Sequence, residues 1–526
     1  MKSGKYSYVA AAFLSGALSS TGSAFFLDGN GFYGARGELR TNPGASSGRG
    51  TYRAIDQTFR LEIEGRASEK TSFFSELRIF SDPRAAYLGD TAEPTSCRAG
   101  SDEKCKDANQ DTSEPGYKRY TPQISKLYAQ HAFDYCLLDV GRRDRQWGMG
   151  LFLDAGRTPF DISMSTFDGV SCHINTQKAQ SLGFTVGYDQ LSTTGMSVVL
   201  PGSTDTSEKK GASSRGGKTN QIYFSIEYDD RQSQPPLSNF AKQVGVYVAK
   251  VGSADVDSGG TSTDLTFVDL YSGFYMGRFS LRSEILFRLG KTGDPNASRL
   301  GGAIQDQNEV AINNMQSIGG TATLDWVLSQ SGRQIGPESY RQGDLVRHIL
   351  FTGFTFAPGS SQGYYTGAND NIGDQNRSTT TKAMGFNRNF HPALILFNGR
   401  PDIDDLAVDG IFDPTRVMNA TVYTLGYRYE NLQYGNVETR VVYASLNERM
   451  PESVQTHYST QGKKKVGYYG NSLGYEWDTT YSLRIDKGLD VGLSAGYLFA
   501  GDAWRVDDDH RAVGQTLLQS YIVFNF

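Results

Sequence analysis

Apolar and polar residues alternate along much of this 526-residue chain, which is the pattern of extended strands with one apolar face. The last twelve residues, QTLLQSYIVFNF, show the pattern most clearly. Phe526, Phe524 and Ile522 fall on one face of a strand and Asn525 and Tyr521 on the other, because successive side chains of a strand point to opposite sides. The period of two therefore predicts a β-strand at this end of the chain.

The same alternation recurs in about eighteen segments, many of them roughly 10 to 15 residues long. Such segments exceed the roughly 5 or 6 residues of most globular strands and can cross a bilayer at a tilt. A soluble β-sandwich also alternates, but here Tyr and Phe recur near the strand ends, as the aromatic girdles of a membrane barrel require. Strands are predicted at about residues 31–41, 52–66, 70–82, 121–133, 135–145, 179–189, 192–200, 219–229, 241–251, 263–275, 277–290, 310–329, 344–357, 418–430, 434–446, 470–486, 488–499 and 515–526.

The intervals between these segments alternate between long and short, as extracellular loops and periplasmic turns do in such barrels. The fold class is therefore predicted to be all-β. We expect a transmembrane antiparallel β-barrel of about 18 strands, with 16 as the lower bound, long extracellular loops and short periplasmic turns.

A terminal Phe that closes an amphipathic strand resembles the C-terminal signal of Gram-negative outer-membrane β-barrel proteins of the porin-like class. The residues that carry this resemblance are Phe524 and Phe526, the candidate assembly signal. The resemblance implies an outer-membrane location. It also implies the barrel-assembly machinery, outer-membrane lipid and lipopolysaccharide as partners.

The other end of the chain is consistent with export. Lysines precede an apolar stretch, Val9–Leu18, and the small residues that follow end at Ala24. This order fits a secretory signal peptide, with a buried N-terminal helix as the alternative. We expect residues 1–24 to be the signal peptide and residues 25–526 to form a single barrel domain. No later stretch approaches the roughly 20 apolar residues that a spanning helix needs.

Composition favours a barrel with a polar lumen. The chain has 60 Gly, 30 Tyr and 29 Phe, but only 38% of its residues are hydrophobic and 21% are charged. A wall with a wet inner face needs apolar residues at alternate positions only. The formal net charge is −5, and becomes −7 when the two signal-peptide lysines are removed, so nucleic-acid binding is disfavoured. No cofactor is predicted.

Four cysteines lie in a chain that is predicted to be exported, where disulfides persist. Cys97 and Cys105 share one polar loop, SCRAGSDEKC, and are predicted to form a disulfide. Metal binding there is disfavoured because no His stands nearby. The pairing of Cys136 and Cys172 stays open.

Charged residues alternate with the apolar positions of the strands. If the apolar face meets lipid, the charged face lines the lumen, where residues of both signs would give a water-filled path with weak ion selectivity. These side chains could also pair across neighbouring strands, and both interpretations are compatible. The pore-lining candidates are Arg36, Arg40, Arg60, Glu62, Arg78, Arg143, Arg282, Glu284, Arg288, Arg428, Arg440, Glu476 and Arg484.

Two loops carry candidates for a constriction. The loop from Pro358 to Val417 contains the apolar run NFHPALILFNG, which is expected to fold into the barrel mouth or against a neighbouring loop or subunit; we favour the mouth. The segment GRRDRQWGMGLFLDAGRTPF, Gly141 to Phe160, resembles a strand-end pattern of alginate-export-type barrels. That resemblance implies anionic or saccharide solutes, and a structural loop is the alternative. The candidates are Arg145, Trp147, Phe390, Leu394 and Phe397.

Metal and catalytic chemistry have little support. Acidic clusters at 402–413 and 507–509 could hold Ca²⁺, but their spacing does not match an EF-hand loop, so a metal site stays unknown. The six His form no H-E-x-x-H motif, and no G-x-S-x-G is present, so the chain is predicted not to be an enzyme.

The predicted function is an outer-membrane channel for small hydrophilic solutes or ions. A surface adhesin or structural barrel with a plugged lumen, and a hydrolase active at the barrel rim, are the alternatives.

Overall fold

The computed structural model describes part of the chain. It comprises residues 26–42, 51–79, 123–161, 164–175, 181–191, 219–230, 240–253, 263–292, 313–332, 345–359, 380–382, 384–387, 389–398, 412–413, 415–449, 469–505 and 512–526. The predicted signal peptide, the Cys97 and Cys105 pair and most of the acidic clusters lie outside these ranges. Within the same ranges no helix is long and apolar enough to cross a bilayer.

Nineteen strands are present in the described residues. They are β1 Phe26–Thr41, β2 Thr51–Ser68, β3 Thr71–Ile79, β4 Gln123–Ala132, β5 Leu137–Asp144, β6 Thr166–Asn175, β7 Leu182–Leu191, β8 Thr219–Asp229, β9 Phe240–Ser253, β10 Thr263–Met276, β11 Phe279–Thr292, β12 Asn313–Ser331, β13 Val346–Ala357, β14 Thr380–Thr381, β15 Ala420–Asn431, β16 Gly435–Leu446, β17 Ser472–Asp486, β18 Leu489–Ala500 and β19 Gln515–Asn525. A short 3₁₀ helix, Asp502–Trp504, precedes β19.

All of these strands except β14 form one antiparallel wall, so the wall has eighteen strands in the described part of the chain. The wall is closed because β1 pairs with β19, from Phe32 opposite Asn525 to Thr41 opposite Thr516. Next to the Phe32–Asn525 pair, the backbone of Phe526 exchanges hydrogen bonds of 2.9 and 3.0 Å with Gly31. The prediction of a closed all-β barrel of about 18 strands is confirmed.

The outer face of the wall is apolar and carries two aromatic belts. Near the long-loop end, the rings of Tyr443 and Tyr475 lie 4.8 Å apart, and near the short-turn end those of Phe279 and Trp326 lie 5.7 Å apart. Between the belts lie exposed aliphatic side chains such as Leu493. Aliphatic residues face acyl chains and aromatic residues face the two interfaces in such barrels, so this surface suits a bilayer.

One hairpin differs from the sequence prediction. β6 occupies residues 166–175, which we predicted to be loop. The predicted sixth strand, 179–189, corresponds to β7, which is the seventh strand of the wall. The predicted strand 192–200 lies outside the described residues. The alternation in β6 is weak because Phe167 is buried on the inner side, while Asp168 faces outward and pairs with Arg142 at 2.7 Å.

Cys136 and Cys172, whose pairing the sequence left open, form a disulfide. Their Cα atoms lie 5.7 Å apart across 36 residues of sequence. Cys136 precedes β5 and Cys172 lies in β6, so the bond ties the β4–β5 turn to the next strand. Such a bond fits an oxidising compartment.

Candidate functional site

The predicted pore-lining residues all occupy strand positions on the inner face of the wall, and their burial separates them into two groups. One group is buried inside the barrel, and the other is partly exposed there. The buried group is Arg40, Arg60, Arg78, Arg143, Glu284, Arg288 and Glu476. The partly exposed group is Arg36, Glu62, Arg282, Arg428, Arg440 and Arg484.

The first loop inside the barrel, residues 145–161, is called here the first inner loop. Glu284 on β11 holds it in place because its carboxyl group accepts hydrogen bonds from the backbone N–H groups of Met149 and Leu151, the latter at 3.2 Å. Phe152 stacks on Phe267 of β10 with ring centroids 4.7 Å apart. The loop is therefore fixed on the wall by two contacts: a buried carboxyl group that accepts from two N–H donors, and an adjacent aromatic stack.

The two constriction candidates in the first inner loop pack against the wall. Arg145 donates to Asp189 at 2.7 Å and to the Tyr247 hydroxyl at 3.0 Å. Trp147 lies on Gly245 of β9, where a Cβ atom would come within 2.7 Å of its ring. Only glycine therefore allows the indole to lie this close to the strand.

The far part of the first inner loop reaches the opposite side of the barrel. Arg78 donates to the Gly156 carbonyl oxygen at 2.9 Å, and Arg60 donates to the same oxygen at 3.3 Å. Beyond this point Phe160 lies under Arg36 of β1, with the guanidinium carbon 4.9 Å from the ring centroid. Two buried arginines thus direct the loop across the lumen.

The second inner loop, residues 384–387 and 389–398, contains most of the apolar run predicted to fold inward. The backbone N–H groups of Ile395 and Leu396 donate to the two carboxyl oxygens of Glu476 on β17, at 2.6 and 2.7 Å. Phe397 is fully buried, with a φ of 64°, and Leu394 packs against the same cluster. The apolar side chains therefore meet other apolar groups and not water.

Further contacts surround this anchor. Leu394 N–H donates to Asp478 at 3.1 Å, and Arg40 of β1 donates to the Asn398 carbonyl oxygen at 3.2 Å. Phe390, the remaining candidate, meets Phe386 edge to face at 5.9 Å. The second inner loop is thus fixed to strands on both sides of the β1–β19 seam.

The two inner loops also contact each other. Asn387 N–H donates to the Leu151 carbonyl oxygen at 2.8 Å, and the Asn389 side chain donates to Asp154 at 3.1 Å. These bonds link a loop held by β11 to a loop held by β17. The barrel interior therefore contains a continuous packed core that joins different parts of the wall.

A row of ion pairs lines the partly exposed inner wall, and four of the six pairs lie towards the short-turn end. Each pair joins an arginine to a carboxylate on a neighbouring strand, and both partners remain partly exposed in most of them. The pairs are Arg282 with Asp325 at 3.6 Å, Arg347 with Glu430, Arg428 with Glu438 at 2.8 Å, Arg440 with Asp478 at 3.0 Å, Arg484 with Asp490 at 2.5 Å, and Arg36 with Asp56 at 2.8 Å.

His391 gives the second inner loop a pH-sensitive contact. Its Nδ1 atom lies 3.1 Å from the Phe397 carbonyl oxygen. Burial lowers the pKa of the imidazole to about 4, and the positive charges of Arg36 and Arg440 lower it further, against the opposing effect of the carbonyl contact. The docked loop therefore holds a neutral histidine at pH 7.

Docking of this loop should weaken in acid. A released loop would have a histidine pKa near 6.5, so it binds more protons than the docked loop between about pH 6.5 and 4. Docking is at full strength above that window and is lost progressively as the pH falls through it. We expect open-channel noise in bilayer recordings to rise on acidification of the wild type and much less in His391→Gln; equal pH profiles would contradict this.

No protein-family model and no curated protein sequence matches the chain. Among solved structures, Pseudomonas aeruginosa OccK8 (OprE) is 11% identical over 95% of this chain and 98% of its own, with a TM-score of 0.46. The outer membrane protein OprD from the same species is 10% identical over 95% and 94%, with a TM-score of 0.44. Escherichia coli Wzi, a carbohydrate-binding β-barrel involved in group 1 capsule assembly, is 10% identical over 94% and 84%, with a TM-score of 0.38. Likeness this distant assigns no solute and no residue role.

The class of protein follows from the closed antiparallel wall, its apolar outer face and its two aromatic belts. It is an outer-membrane β-barrel. Its location is the outer membrane of a Gram-negative bacterium, and membrane lipid surrounds its outer face.

Sequence reasoning missed the acidic partners Asp56, Asp325 and Asp490, although their inward strand positions could have identified them. It also missed the position of Phe160 at the far side of the lumen, for which no local signal exists. The described residues contain no group of three or more acidic, His or Cys side chains arranged for a metal. Asp413, the described member of the first acidic cluster, pairs with Arg416.

Proposed function

We propose that this barrel is a passive channel for small hydrophilic solutes or ions. The observation that supports the proposal is the row of partly exposed ion pairs on the inner wall, since charged side chains that retain solvent contact inside a barrel imply water there. Single-channel recording on the purified full-length protein tests it. Stepwise, ohmic conductance is the expected result, and the absence of any current would contradict it.

The pairing of opposite charges should make the channel weakly ion-selective. Each arginine in the row stands beside a carboxylate, so neither sign dominates the wall. We expect a reversal potential near zero in a salt gradient. Arg428→Gln should shift it towards cation preference and Glu438→Gln towards anion preference, because each change leaves the other member of a 2.8 Å pair unopposed. Identical reversal potentials in both variants would show that this pair does not face the ion path.

A barrel with a plugged lumen is the second candidate, and the packed core between the inner loops favours it. In that case the protein would act as a surface adhesin or a structural protein. Bilayer recording distinguishes the two functions, because a plugged barrel is silent.

We propose no catalytic role. We propose lipopolysaccharide and the barrel-assembly machinery as partners, and residues 1–24 as a signal peptide that is removed.

A further inference from the structure

A cavity of about 480 Å³ lies between the tip of the first inner loop and the inner wall formed by β15 to β19. We call it the lower cavity, because it lies near the short-turn end of the barrel. Its lining includes Thr158 and Phe160 from the loop and Ser482, Arg484 and Tyr521 from the wall. Its volume falls within the range of small-molecule sites, roughly 300 to 1,000 Å³.

Two aromatic rings form one side of the lower cavity. Phe160 and Tyr521 lie with ring centroids 6.1 Å apart and planes inclined by 59°. A Cβ atom at position 492 would overlap the Tyr521 ring, and one at Gly34 would come within 3.2 Å of Phe160. Glycines at these inward positions let both rings lie close against the wall. An aromatic face carries partial negative charge and suits the C–H groups of a ring-shaped solute.

The charges in the lower cavity cancel locally. Arg484 donates to both carboxylate oxygens of Asp490, at 2.5 and 2.9 Å, and Asn525 donates to the same carboxylate at 3.0 Å. An anion that approaches the arginine also meets the carboxylate, and a cation that approaches the carboxylate also meets the arginine. Neither ion gains an unopposed attraction at this pair.

A hydroxyl group does not face this conflict. It donates one hydrogen bond and accepts others, so one hydroxyl can accept from a guanidinium and donate to the carboxylate beside it. Uncharged side chains of the same lining, Thr158, Asn436 and Ser482, offer further donors and acceptors. The cavity therefore combines an apolar aromatic side with a polar side of zero net charge.

From this arrangement we propose that the lower cavity is a binding subsite for a neutral, hydroxyl-rich ring solute of monosaccharide size. The inference rests on the proposed channel function and names the class of solute that the channel would favour. A solute held here lies against Phe160 of the first inner loop, towards the short-turn end. Anionic solutes of the same size bind more weakly at this position because of Asp490.

The test is block of single-channel current by glucose, with glucuronate as an analogue that keeps the sugar ring and adds a carboxylate. Glucose should reduce the current of the wild type in a saturable manner, and glucuronate should do so more weakly. Tyr521→Leu should weaken the apparent glucose affinity about fivefold, since an aromatic contact contributes on the order of 0.5 to 1.5 kcal/mol. Tyr475→Leu, which removes a lipid-facing tyrosine, is the matched control and should leave glucose block unchanged.

The outcomes separate the subsite from the channel. Stronger block by glucuronate, or equal glucose affinity in Tyr521→Leu and the wild type, overturns the subsite while conduction itself upholds the channel. If the wild type is silent, the channel proposal fails and calorimetry on the detergent-solubilised barrel decides the subsite. Glucose binding that Tyr521→Leu weakens then supports the subsite, and no heat of binding overturns it.

Discussion

Replacement of Leu493 by arginine should destabilise the folded barrel by about 2 to 4 kcal/mol, the usual cost of a basic side chain on the lipid face near the bilayer middle. Leu493 lies within β18 on the outer face, and 59% of its surface is exposed. In a membrane that surface meets acyl chains and not water. A guanidinium placed there must either lose its hydration or draw water and headgroups into the bilayer, and both are unfavourable.

Ser494 provides the matched control, because it neighbours Leu493 on the same strand but faces inward, between Gly492 and Gly496. Arginine at 494 should cost much less, since its head group can reach the polar row of the inner wall. Urea titration of folding into lipid vesicles measures both changes. Equal losses at the two positions would mean that the assignment of inner and outer faces is wrong.

The wall of this barrel could be predicted from sequence because each strand carries its own signal. In β17, Tyr475 and Trp477 face lipid and Glu476 and Asp478 face inward, so the period of two appears within a few residues. β6 could not be predicted in the same way. Its outward Asp168 pairs with Arg142 on β5, the preceding strand, and the sequence of β6 alone does not reveal that partner.

The inner site was predictable only in part. The alternation of side chains between the two faces of each strand placed Arg428 and Glu284 on the inner face, but it could not distinguish their environments. Arg428 is partly exposed beside Glu438, whereas Glu284 is buried because a loop more than a hundred residues away places two N–H groups on it. Which inward residue meets water and which one meets a loop depends on where the loops fold, and that is set by tertiary contacts.

The inner loops should control conductance without supporting the wall. Deletion of residues 393–397 should raise single-channel conductance, because these residues fill space inside the barrel, while the hydrogen bonds of the wall run between strands. The deleted barrel should still fold, which heat-modifiable migration on a gel measures. Unchanged conductance in a folded deletion variant would show that the segment lies outside the conducting path.

A point change tests the anchor itself. In the native protein the N–H groups of Ile395 and Leu396 each donate to one carboxyl oxygen of Glu476, at 2.6 and 2.7 Å. Glu476→Gln keeps one acceptor oxygen and replaces the other with an amide NH₂ group, which faces an N–H group and cannot accept from it. Loss of one bond to a carboxylate costs on the order of 1.5 to 3 kcal/mol, so the docked fraction of the second inner loop should fall about tenfold or more relative to the released fraction. We expect frequent transitions to a higher conductance level.

Glu438→Gln is the control, because Glu438 pairs with the wall residues Arg428 and Arg440. This change should alter ion preference but leave the conductance level steady. Identical, steady traces for Glu476→Gln and the wild type would mean that the loop stays docked without its anchor, and the packed apolar side chains alone would then hold it.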